Sequence, residues 1–258
     1  MIIQNFIGTL EFFDGSRSKH NILCLKKSLS LVSKSVLKAP ISYDMMKIDY
    51  QSQRDGMGMN EKFFDLKKEK QDRMINASLK MFAENGYKRA STDDIVREAG
   101  ISKGLLFHYF GSKAGLYEFL VDYSSRYTML ETAAMVSSKE KDYFVIYQQL
   151  LGIRTQIMRS YPYMQYFLER AMKEDSEELS QEVREKIRAH RDYEDAFFRK
   201  AQLSLFNDRS DFEMVHNMLK LTIQGIMVEI FTDGTFDPDR FYDGAVTYLN
   251  MMRALCYT

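Results

Sequence analysis

Residues 91–113 read STDDIVREAGISKGLLFHYFGSK, and this stretch decides the fold. Ser91 stands three residues before Asp94, a capping-box-like start for a short helix over Thr92–Ala99. Gly100-Ile101-Ser102 reads as a tight turn, with Gly100 free to take the backbone the turn needs. A second short helix runs from Lys103 to Tyr109 or Phe110. Ile95, Ala99, Ile101 and Leu106 supply an apolar seam that fixes the angle between the two. Short helix, glycine turn, short helix is helix-turn-helix logic: the second helix offers its N-terminal end to the DNA major groove.

That end reads Ser102-Lys103-Gly104-Leu105. Lys103 has the reach for a phosphate or a guanine edge. Gly104 removes a side chain and lets the backbone come close to DNA. His108 and Tyr109 add polar tips, and Lys113 lies just beyond. Such a cluster makes several phosphate contacts and few base contacts. Taken singly, Ser91 is a plain helix cap, Lys113 a solvated lysine and Tyr109 partly core; the joint spacing carries the functional reading.

Working outward, Leu66–Glu84 reads as a helix with Ile75, Leu79, Phe82 and Ala83 on one face, stopped at Asn85-Gly86. Ser112 caps a fourth helix through Leu116, Phe119, Leu120 and Tyr123. Further helices are expected at 126–137, 141–159, 162–173, 177–205, 211–232 and 238–255. Pro162 and Pro238 suit first turns, Ser210 with Glu213 makes another capping box, and Asp233-Gly234 is a stop. The expected fold is all-α: an N-terminal three-helix helix-turn-helix head at 59–125 and a helical ligand-binding and dimerisation body at 126–258. Three prolines and 13 glycines in 258 residues leave room for long helices.

Charge is uneven although the total is zero. Residues 1–58 carry net +3, residues 59–113 net +3 and residues 114–258 net −6. A basic front and an acidic back suit a DNA-binding head on a larger body. Residues 1–58 form an extension without an evident partner core, expected to be disordered or not native, with translation starting near Met57–Met59. No apolar run reaches the ~18–20 residues that span a bilayer, and no secretory leader is read, so no membrane role and a cytoplasmic location are expected. Two cysteines, Cys24 and Cys256, make no disulfide framework, and four scattered histidines give no metal site.

The run from Gly86-Tyr87 through Ser91–Phe110 to Ser112-Lys113 and Leu116 resembles the TetR family signature, densely over roughly 67–120. The resemblance implies a homodimer built on the last two helices, reading a palindromic operator in double-stranded DNA. By the same resemblance Ser91 and Thr92 contact phosphate, Ser102, Lys103, Gly104 and Leu105 face bases or backbone, and His108, Tyr109 and Lys113 clamp phosphates. Phe107 and Leu105 depart from the family's usual Tyr and small polar residue, so the operator sequence does not transfer. The family's mechanism is a repressor released by a small molecule, through a population shift. An activator, or a DNA-binding protein without a ligand, remains open on this fold.

Helix 211–232 carries Val215, Leu219, Thr222, Ile226 and Ile230 on one stripe and Met218, Leu221 and Val228 on a second side. A helix apolar on two sides must be covered twice. Leu219, Ile226, Ile230, Leu249 and Met252 are the candidate dimer residues. Tyr147, Tyr163, Phe167 and Phe198 are the candidate lining for an unidentified small effector, apolar or aromatic. No phosphate-cradling loop, nucleophile elbow or zinc motif occurs, so no enzyme, cofactor or metal is expected.

Overall fold

The computed structural model describes residues 61–136 and 139–257, an all-α fold. Among the described residues nine helices follow in order: α1 Lys68–Arg89, α2 Thr92–Ala99, α3 Lys103–Phe110, α4 Lys113–Met135, α5 Tyr143–Ser160, α6 Met164–Ala171, α7 Gln181–Phe198, α8 Phe212–Thr232 and α9 Pro238–Cys256. The 1–58 extension and the Met57–Met59 start lie outside the described residues. No described helix is long and apolar enough to cross a membrane.

α1 is the spine of the head. Its expected face, Ile75, Leu79, Phe82 and Ala83, is buried, together with Met74. Gly86 does break the regular helix, with φ of 72°, but the chain resumes a helical turn to Arg89. The kink therefore replaces the expected stop. Its reason is local: Tyr87 turns its ring into the core beside Phe82 and Tyr117, at centroid distances of 6.3 and 5.2 Å.

Three other boundaries differ from expectation. α4 runs unbroken from Lys113 to Met135, so the head–body boundary expected at residue 125 falls inside one helix. No Gly or Pro lies between Leu116 and Leu151, so nothing in that stretch breaks a helix. α7 ends at Phe198, not 205; Gln202 N–H then donates to Lys141 O at 2.7 Å and pulls the chain away. Ser210 is not the cap of α8: Asp211 accepts from Met214 N–H at 2.9 Å, while Ser210 Oγ donates to Asn207 Oδ1. Pro238 does sit in the first turn of α9, whereas Pro162 occupies the turn before α6.

The body wraps α5. α9 packs along α5, α8 along α9, and α7 against α4. Tyr143, Phe144, Leu151, Ile157 and Met158 of α5 are buried. α6 bridges the two parts, lying on α1 of the head and on α4, α5 and α8 of the body.

Candidate nucleic-acid interface

The two short helices of the head are built as their sequence requires. Ser91 Oγ accepts from Asp94 N–H at 3.4 Å, and Gly100 closes α2 at φ of 64°. Ser102 Oγ accepts from Leu105 N–H at 3.2 Å to start α3. Ile95, Ala99 and Leu106 are buried and Ile101 packs at their edge. Arg73 Nε donates to Ala99 O at 3.3 Å, tying α1 to the end of α2. Ser112 Oγ caps α4 through Gly115 N–H at 3.0 Å.

Ser102, Lys103, Gly104 and His108 form one exposed surface on α3, with Leu105 and Tyr109 half-buried beside it. Nothing lies within 4 Å of a Cβ built on Gly104, so the backbone there is open to a close approach. Tyr109 is shared with the core, edge-on to Phe63 at 5.7 Å. Ser91, Thr92 and Lys113 are half-buried at the starts of α2 and α4. Two cations of this group already have partners. Lys103 pairs with Asp93 at 2.8 Å, and Lys113 donates to Lys88 O at 3.1 Å while lying 4.8 Å over the Tyr87 ring. The second contact brings the exposed pair Lys88-Arg89 next to Lys113 and Ser91, a basic flank that the motif reading passed over.

In the body, a cavity of about 40 Å³ lies between α5, α6, α7 and α8. It has room for a few waters. Tyr147 and Phe198 line it, with rings 4.9 Å apart. Tyr163 and Phe167 do not. Tyr163 packs on Phe231 at 5.0 Å, and Phe167 fills the head–body junction beside Tyr117 at 5.3 Å.

The cavity wall also holds charges that periodicity did not flag. Arg154 donates to both carboxylate oxygens of Glu194 at 2.9 Å and to Glu169 at 3.3 Å. Gln224 Nε2 completes Glu169 at 2.8 Å. Burial works against the Arg154 charge, but Glu194 and Glu169 outweigh it and raise its pKa further. Burial likewise pushes Glu194 up, yet Arg154 holds it below the usual carboxylate value. His190, one turn before Glu194, is buried, and its Nδ1 has no hydrogen-bond partner; burial lowers its pKa. The signal was present: Arg154 is the single charge in the run Tyr143–Met158.

The dimer candidates divide in two. Leu219, Ile230 and Leu249 are each 1% exposed, filled in by their own chain, and Ile226 and Met252 are half-buried between α8 and α9. The exposed apolar side chains are Met214, Met218, Leu221 and Val228 on α8 and Tyr248, Met251 and Leu255 on α9. Met214, Leu221 and Val228, and likewise Tyr248 and Leu255, stand seven residues apart, with Met218 and Met251 between them at three- and four-residue steps along the same stripe of each helix. Among the described residues no group of His, Cys, Asp and Glu is placed to hold a metal.

This geometry defines a helix-turn-helix head carried on a helical body. Residues 74–120 match the family described as bacterial regulatory proteins, tetR family. The chain is 41% identical over 56 residues to the uncharacterized HTH-type transcriptional regulator YuxN of Bacillus subtilis, covering 22% of this chain and 19% of that protein. It is 28% identical over 94 residues to the biofilm operon icaADBC HTH-type negative transcriptional regulator IcaR of Staphylococcus aureus, covering 35% of this chain and 50% of that protein. The chain thus matches half or less of the length of these relatives. A TetR family transcriptional regulator from Chloroflexus aurantiacus superposes with a TM-score of 0.58 at 19% identity, over 77% of this chain and 98% of that one. One from Agrobacterium tumefaciens gives 0.51 at 18%, over 73% and 98%. The head thus matches the tetR family model over residues 74–120, and the chain shares the all-α fold of these regulators.

Proposed function

We propose that this protein is a homodimeric transcriptional repressor that binds a palindromic operator in double-stranded DNA and is released by a small molecule. The observation that carries it is the exposed α3 surface, Ser102, Lys103, Gly104 and His108, on a helix held by a buried seam. Leu105 and Tyr109 flank that surface, and Ser91, Thr92 and Lys113 provide phosphate contacts at two helix starts. The Lys103–Asp93 pair opens on DNA and Lys103 exchanges a carboxylate for a phosphate. Residues 59–125 act as the head and 126–258 as the body, coupled through the shared helix α4. The protein is not an enzyme and works in the cytoplasm.

Dimerisation uses the exposed stripe of α8 and α9, with Met218, Leu221, Tyr248 and Met251 meeting their copies in a four-helix interface. Ile226 and Met252 border it, while Leu219, Ile230 and Leu249 support it from beneath. Repression is favoured over activation by the role of the Staphylococcus relative, a negative regulator. The effector is apolar or aromatic where it meets Tyr147 and Phe198, and it has to widen the cavity to enter.

The test is anisotropy with labelled DNA from upstream of the protein's own gene, across 50–200 mM salt. Specific binding that weakens steeply, by about 10³-fold or more for six or more phosphate contacts, supports the reading. Weak binding that is equal on unrelated DNA removes it.

A further inference from the structure

A second cleft, of about 310 Å³, opens between α6 and α8. Its walls combine Tyr166, Met227 and Val228 with Arg170, Lys173, Glu169 and Glu174. The two signs of charge are not in the same condition. Glu169 is committed to Arg154 and Gln224, at 3.3 and 2.8 Å. Glu174 is committed to the backbone N–H groups of Tyr87 and Ser176, at 2.9 and 3.2 Å. Arg170 and Lys173, by contrast, line the cleft and make no ion pair among the described residues, the Arg170 guanidinium lying against Gly86. A half-buried guanidinium without a carboxylate is a poor use of a residue built for bidentate pairing.

We propose that this cleft binds a small amphipathic anion, a carboxylate on an apolar body. Arg170 takes the carboxylate through its guanidinium, Lys173 adds a second positive charge, and Tyr166, Met227 and Val228 pack the apolar part. The volume lies in the range of small-molecule sites, whereas the core cavity does not. The cleft is also placed to be felt in the head. A Cβ built on Gly86 would stand 3.3 Å from Arg170 Nη2 and 3.6 Å from Glu174 Oε2. An anion that draws Arg170 into the cleft moves a group packed against the kink of α1, and through it the orientation of α2 and α3. This consequence rests on the ligand-responsive reading above; the binding itself does not.

Calorimetry on the full chain tests it with octanoate and 4-phenylbutyrate as anionic probes and octan-1-ol as the neutral match. At least one acid binds at least tenfold more tightly than the alcohol. Arg170→Gln loses tenfold or more, and the exposed Lys173→Glu, which leaves the Gly86 contact alone, loses a comparable factor. No binding of either acid, equal binding of the alcohol, or full affinity in Lys173→Glu overturns the proposal. The same samples are then scored for operator binding. Acid binding without any change in operator affinity keeps the site and removes its link to release. Failure of the acids while operator binding persists removes the site and leaves the regulator reading standing.

Discussion

The backbone N–H of Tyr87 donates to Glu174 Oε2 at 2.9 Å, and this bond joins the kinked end of α1 to the turn after α6. Near the other end of α1, Asp72 Oδ1 accepts from Tyr161 OH at 3.2 Å, and Tyr161 OH lies 2.8 Å from Tyr123 OH. Burial and the neighbouring Tyr123 and Asp72 keep the Tyr161 phenol neutral far above physiological pH. The head is therefore held by the body at two points on α1 as well as through α4. α6 packs directly on α1, and α1 in turn on α2.

Replacing Glu174 with Ala tests that anchor. It leaves the Tyr87 N–H without its acceptor, a loss of about 1 kcal/mol for a partly buried bond. Thermal unfolding should fall by a few degrees, and hydrogen exchange at residues 86–90 should speed up while the α8–α9 region stays unchanged. Unchanged exchange at 86–90 would mean that the bond does not hold the head.

On the proposed reading Asp93 competes with DNA phosphate for the Lys103 charge, because the pair spans α3 and α2 on the exposed surface. Lys103→Ala should weaken operator binding about tenfold and lower the salt slope by about one. Asp93→Asn should tighten binding, since it removes a carboxylate from the phosphate-facing surface. Equilibrium titration of both variants checks the pair; tighter binding by Lys103→Ala would contradict the assignment.

The two stripes of α8 call for opposite outcomes. Met218 is 50% and Leu221 59% exposed, so Met218→Asp with Leu221→Asp should leave the fold intact and yield monomers. Leu219 is 1% exposed, so Leu219→Ala should cost about 2–5 kcal/mol of stability through a core cavity. Sedimentation and thermal unfolding separate the two. A dimer that survives both aspartates would place the interface elsewhere.

His190 sets a pH dependence. Burial holds its pKa below the usual 6.5, so the folded chain keeps it neutral where the unfolded chain takes up a proton. Its contribution to stability is therefore full above about pH 6.5 and declines as pH falls below that value. His216, also lowered by burial, acts in the same direction. The unfolding midpoint should drop between pH 7.5 and 5.5, and His190→Leu should reduce that drop without abolishing it. An undiminished drop in the variant would assign the dependence to other groups.

The head was legible because its signals are local. Ser91 with Asp94, Gly100 and Ser102 each act within four residues, and their caps and turn stand in the structure at those positions. The kink at Gly86 was half legible: glycine marked the place and Phe82 lies nearby to take the Tyr87 ring, but Glu174, which holds the Tyr87 N–H, is far off in sequence. The body was less legible for the same reason. Periodicity found that α8 has two apolar sides, yet not which one its own chain would cover, since that depends on α5 and α9 packing from other parts of the sequence. Tyr163 and Phe167 share the composition of Tyr147 and Phe198, but α6 turns them to the outer edge and to the head junction. The Arg154–Glu194–Glu169 cluster joins three helices and has no spacing rule of its own.

On the proposed reading two copies of this head hold one two-fold site. Hydroxyl-radical footprinting of the full chain on DNA upstream of its gene decides the matter. Two symmetric protected patches, centred about one helical turn apart on a palindrome, are the predicted result. A single unsymmetrical patch, or uniform protection that follows no sequence, would contradict it.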